Sequence, residues 1–187
     1  MGDAPPQSIL QFVSDWAVGK GVFKRSKVPM DKKILGVFLS YSGFTYREAA
    51  KLVGGISYVA VHDACKSFQI TLPKLLPTSR TVSIEENVVN LNSERKGILW
   101  LARDVDAGDI LSMRCSMEGS EEDRKRFIDS VLAVCTGRPL LRIGRGPSFP
   151  HNLSNLDYYF QIDTTPSIRQ RLGKWIMGDT PVSGQSL

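Results

Sequence analysis

The chain has 187 residues, 42% hydrophobic and 23% charged, which is ordinary for a soluble globular protein. Its 24 Lys and Arg outnumber 19 Asp and Glu, and the excess is uneven: residues 1–80 hold 11 against 5, the remainder 13 against 14. No apolar run approaches the ~20 residues that cross a bilayer, and the polar, proline-bearing start lacks a signal-peptide pattern, so a cytoplasmic protein with no membrane role is expected.

Ile9, Leu10, Phe12, Val13 and Trp16 make an amphipathic helix that packs on its own module or mediates dimerisation. The densest positive charge follows, at Lys20, Lys24, Arg25, Lys27, Lys32 and Lys33, opposed locally only by Asp31. Such a patch attracts polyanions by releasing their counterions, although a solvated charged face has the same composition. Ile34, Leu35, Phe38 and Leu39 keep helical spacing until Ser42-Gly43. Thr45, with Glu48 three residues on, predicts a capping box for a short helix that turns Ala49, Ala50, Leu52 and Val53 inward. Gly54-Gly55 breaks that helix, and Ser57 caps another running through Phe68.

Two helices joined by a glycine turn are predicted to form a helix-turn-helix beside the basic segment. Arg47 on the first helix, with Ser57, Tyr58, His62 and Lys66 on the second, are the candidate DNA contacts. Lys66 suits phosphate, while Ser57, Tyr58 and His62 suit base edges or phosphate. The second helix is poor in Arg, Asn and Gln, so sequence readout is expected to be weak or carried elsewhere. The bland alternative is a three-helix unit with no ligand.

Pro73 and Pro77 interrupt helix and sheet alike, so the expected division is a helical module at 1–71, a proline linker at 72–80, a second domain at 81–178 and a disordered tail at 179–187. In the second domain, 82–91, 98–105 and 109–117 read as three antiparallel strands, with the turn Asp106-Ala107-Gly108 between the last two. Asp104, Asp106 and Asp109 are read as turn formers. A helix from Ser120 to Cys135 carries an acidic first turn, strands follow at 139–143 and 158–162, and a helix runs from Ser167 to Met177. The fold class predicted is α/β: a helix-turn-helix module followed by a truncated ribonuclease-H-like domain.

Cys65, Cys115 and Cys135 are widely spaced, and His62 and His151 are the two histidines. Zinc sites need four convergent ligands, so the thiols are read as buried or idle and no cofactor is expected.

The stretches VVNLNSERKGILWLARDVDAGDIL and RPLLRIGRGPSFPHNL, behind a helix-turn-helix and a proline linker, resemble DDE-type insertion-sequence transposases, archaeal ones in particular. The resemblance covers residues 31–177 and implies a catalytic acid on the first strand, one after the fourth and one on the late helix, together holding two Mg²⁺ ions. Those positions fall on Glu85, Gly144 and Arg169. Glycine offers no side-chain oxygen and arginine repels a metal, so the resemblance implies a dismantled active site, made cationic by Arg142, Arg145 and Arg169. The resulting expectation is a catalytically inactive, transposase-derived protein that binds double-stranded DNA as a homodimer at the nucleoid, in transcription or chromosome organisation. The alternatives are a protein-interaction module without DNA binding, its partner on the ribonuclease-H-like domain, and a residual metal-dependent nuclease.

Overall fold

Ser8 starts the first helix: its hydroxyl accepts the Gln11 N–H at 3.2 Å, and α1 (Ile9–Gly19) buries Ile9, Val13 and Ala17 along one stripe. The computed structural model describes residues 8–23, 27–71, 81–144, 146 and 160–162. Lys24, Arg25, Arg145, Arg169, the linker 72–80, the late helix expected at 167–177 and the tail lie outside the described residues.

In α2 (Met30–Tyr41) every residue from Lys33 to Leu39 is buried, because this helix has neighbours on all sides. The predicted capping box opens α3 (Tyr46–Val53): Thr45 Oγ1 accepts the Glu48 N–H, and Glu48 Oε2 accepts the Thr45 N–H at 2.8 Å. The turn to α4 (Tyr58–Thr71) passes through Gly54 and Gly55, both with φ between +60° and +70°. That region costs an L-residue roughly 1–2 kcal/mol, so two glycines make the turn tight. Ser57 Oγ then accepts the Ala60 N–H as the expected cap. A side chain at Gly36 would meet Val61 Cγ2 at 3.0 Å, so the missing Cβ sets the close approach of α2 to α4.

Five strands form one mixed sheet in the order β3-β2-β1-β4-β5. β1 (Thr81–Asn90) pairs antiparallel with β2 (Lys96–Asp104), which pairs antiparallel with β3 (Ile110–Ser116) across a bulge at Ala102/Arg103. The β2–β3 turn is built by Asp104, whose buried Oδ1 accepts the N–H groups of Asp106 and Ala107 at 2.8 Å. After α5 (Glu121–Leu132), β4 (Leu140–Ile143) returns parallel to β1, and β5 (Phe160–Ile162) adds parallel to β4. The protein is thus mixed α/β, with five helices and five strands among the described residues.

α5 stops three residues before the expected Cys135. Its chain tightens there, with Val134 and Cys135 N–H groups bonded to the carbonyls of Val131 and Leu132, three residues back.

The alternation of the strands divides the core. Val82, Ile84, Trp100, Ala102, Leu141 and Ile143 meet Phe127, Ile128 and Val131 of α5 on one face. Leu99, Leu101, Ile110, Met113 and Cys115 face the other way and join a single cluster with the buried residues of α1 to α4. Fully burying a side chain of this size stabilises by ~1.5–3 kcal/mol, so the helical layer and the sheet hold each other. Hydrogen bonds pin the same seam: Ile9 N–H to Asn87 Oδ1 at 2.6 Å, Asn92 Nδ2 to the Leu52 carbonyl at 2.7 Å, and Cys115 N–H to Ser42 Oγ at 2.6 Å. The compositional boundary near residue 75 therefore separates stretches of sequence that share a core.

Candidate functional site

Two places matter: the outer corner of α3 and α4, and the sheet position of Glu85.

At the corner, the glycine turn brings the first turns of both helices together. The Arg47 guanidinium lies over the Tyr58 ring, 5.3 Å from its centroid, and Tyr46 meets the His62 ring edge-on at 5.3 Å. Tyr46, Tyr58 and Val59 nonetheless keep 40%, 50% and 49% of their surface in water. Lys66 stands exposed one turn beyond His62, and Lys51 is exposed on α3. The local acids have their own work. Glu48 serves the capping box, where the Thr45 N–H, then its hydroxyl, hold the carboxyl below its usual range. Asp63 sits 3.2 Å from His62 Nδ1. Ser57 is exposed, but its hydroxyl is engaged as a helix cap. Arg47, Lys51 and Lys66 face water among the aromatic rings, beside the exposed carboxylates of Glu48 and Asp63; cations next to rings attract anions and stack planar groups.

The structure thus brings together Arg47, Ser57, Tyr58, His62 and Lys66. It does not bring all the basic candidates there. Lys33 is buried with its ammonium 5.1 Å from the Phe23 ring centroid, and burial pushes its pKa down. Lys32 Nζ donates to the Gly54 carbonyl at 2.9 Å and so closes the end of α3. Lys20 pairs with Asp109 across to the sheet at 3.0 Å, while Lys27 is exposed. Tyr46 and Lys51, which sequence reasoning passed over, belong to the corner instead. Their signal was available, since Tyr46 directly follows the cap residue and Lys51 is off the apolar stripe.

On the sheet, Glu85 projects from β1 to the face covered by α1. Arg103 of β2 donates from Nη2 to Glu85 Oε1 at 2.8 Å, and the Arg103 guanidinium lies 4.8 Å from the Phe12 ring centroid of α1. Arg103 is therefore stacked between a carboxylate and an aromatic ring, an arrangement no pattern in the sequence announced. The parallel register Ile84↔Ile143 puts Gly144 one step on, beside Glu85, with the Gly144 N–H bonded to the Ile84 carbonyl at 2.9 Å. Arg142, opposite Ser83, lies on this same face and is exposed. Glu86 points the other way, is buried, and has Gly146 so close that any side chain there would collide with it.

The pair of Mg²⁺ ions implied by the sequence resemblance does not fit these residues. Their first carboxylate already pairs with Arg103, the neighbouring position has no side chain, and Arg142 shares the face. Among the described residues, no group of three or more His, Cys, Asp and Glu is arranged to hold a metal. Cys65 and Cys115 are buried free thiols, and burial pushes Cys115 up to about 12. No described helix is long and apolar enough to cross a membrane.

No family model matches the chain. A Methanocaldococcus jannaschii protein named "Uncharacterized protein MJ0017" is 20% identical over 158 residues, covering 81% of this chain and 72% of the relative. Among solved structures, a chain from the simian T-cell lymphotropic virus intasome in complex with PP2A regulatory subunit B56 gamma is similar at a TM-score of 0.39 and 12% identity. That match covers 76% of this chain and 54% of the other, so the chain spans about half the length of that structure.

Proposed function

We propose that this protein is a transposase-derived, catalytically inactive DNA-binding protein. The observation that carries the reading is the exposed corner of Arg47, Tyr58, His62 and Lys66 on a capped helix pair, in the part of the chain that holds the positive excess. Cations there neutralise phosphates, and the helix pair acts as a helix-turn-helix.

The pairing pattern of the sheet supports a ribonuclease-H-like origin: three antiparallel strands, a helix, then two parallel strands added beside β1. The Glu85–Arg103 pair beside Gly144 supports the loss of chemistry, since the guanidinium charge beside the carboxylate opposes a metal cation and Gly144 adds no side-chain ligand. The protein acts as a homodimer, because two-fold DNA sites call for two readers, and it works at the nucleoid in transcription or chromosome organisation.

The test is a titration of double-stranded DNA at several salt concentrations, with and without Mg²⁺, followed by a gel. Affinity that falls steeply with salt while the DNA stays intact agrees with the reading. Cleaved or joined products that vanish in Glu85→Ala overturn it in favour of an enzyme. No affinity at low salt leaves the protein-interaction alternative.

A further inference from the structure

We propose that the α3–α4 corner binds DNA by stacking unpaired bases on Tyr58 and Tyr46, and so prefers single-stranded or locally opened DNA to a closed duplex. This inference rests on the DNA-binding reading above and specifies what that surface takes.

A helix that reads a duplex groove offers forked donors and acceptors to base edges: Arg to guanine, Asn or Gln to adenine. The exposed positions over the first turns of α4 carry Ser57, Tyr58, Val59, His62, Asp63 and Lys66. Ser57 is occupied as the cap and Asp63 faces His62, so neither is set up to read an edge. The surface has flat rings and an aliphatic side chain instead. Tyr46, Tyr58 and Val59 are three of the eight large hydrophobic residues that stand exposed among the described ones, and all three stand at this corner. Nothing in the fold requires them in water, and half-exposed tyrosines are what a base can cover.

The cations around them supply the complementary half. The Arg47 guanidinium lies over the Tyr58 ring, 5.3 Å from its centroid, a contact that favours one ring orientation. His62 does the same for Tyr46 from the edge. Lys51 on α3 and Lys66 on α4 are exposed as well, adding positive charge to the same two helices. Aromatic platforms set among cations are how proteins hold single strands without reading sequence, because every base has a π face and every nucleotide a phosphate. In a closed duplex those faces are hidden in the stack, and only the phosphates remain for this corner to use.

The experiment compares one oligonucleotide carrying 2-aminopurine, single-stranded and annealed to its complement, titrated with the full-length protein at fixed salt. The single strand is expected to bind roughly tenfold tighter, as stacking one base supplies, with 2-aminopurine fluorescence quenched on binding. Tyr58→Ala removes the preference and the quenching, and Tyr58→Phe keeps both. Tyr58 is exposed, so an unaltered melting curve certifies that the variants are folded. Equal or tighter binding of the duplex by the wild type overturns the inference and leaves the DNA-binding reading standing. A preference that survives in Tyr58→Ala and in Tyr46→Ala also overturns it, since another surface would then carry the single strand. No affinity for either form removes the DNA-binding reading itself, and this inference with it.

Discussion

Arg103→Met removes a guanidinium from two neighbours at once while keeping much of its apolar stem. The ion pair with Glu85 is partly exposed on both sides, so its loss costs about 0.5–1 kcal/mol. The contact with the Phe12 ring adds about 0.5–2 kcal/mol, since α1 shields that side of the guanidinium. Together the change is worth roughly 1–3 kcal/mol, and at about 2–4 °C per kcal/mol for a chain of this size the melting temperature falls by roughly 2–12 °C. Thermal denaturation followed by circular dichroism measures it. Double-mutant cycles with Glu85→Gln and Phe12→Leu then separate the two contacts, each with a coupling of at least about 0.5 kcal/mol. Zero coupling in both cycles refutes the bridge that Arg103 makes between α1 and β1. Nor does Arg103→Met gain measurable Mg²⁺ binding by calorimetry, because Gly144 still supplies no side-chain oxygen.

The shared core makes a stronger demand. Phe68 is fully buried in α4 against Trp16 and Phe23, so Phe68→Ala costs about 3–5 kcal/mol, and helical and sheet signals melt in one transition rather than two. Thr45→Ala deletes the hydroxyl that caps α3 and lowers stability by about 1 kcal/mol in urea unfolding. Cys115 gives a pH dependence of known sign. Burial lifts its pKa to about 12, whereas an unfolded thiol titrates near ~8.5, so above that range the unfolded chain releases a proton that the folded one keeps. Stability then falls as pH rises toward 12, and Cys115→Ala flattens that part of the profile, as denaturant midpoints at several pH values would reveal.

Local structure was written plainly in the sequence where a single residue type forces it. Thr45 with Glu48, Gly54 with Gly55, Ser57 and Ser120 mark their helix ends by side-chain chemistry that acts within four residues. The strands were legible from alternation, and their ends shifted by one or two residues because fraying depends on neighbours. Asp104 was read as a turn former, and its carboxylate does bind the turn's N–H groups. The charge count was less informative about the surface. It scores Lys32 and Lys33 like any lysine, yet a long stem can carry the ammonium to a carbonyl or a ring inside the protein. Nor could composition reveal that α1 to α4 close over the sheet, because Leu99 and Leu101 show that they face a core without showing whose. Arg103 was illegible for the same reason: its two partners lie 18 and 91 residues away in sequence.

If the corner of α3 and α4 grips a polyanion, the slope of log affinity against log salt reports it. Each phosphate contact contributes about −0.9 to that slope on duplex DNA, so Arg47→Ala with Lys66→Ala should make it shallower by about 2. That change is expected together with a uniform loss of affinity across unrelated sequences. An identical slope in the double variant, or a wild-type affinity indifferent to salt, would contradict it.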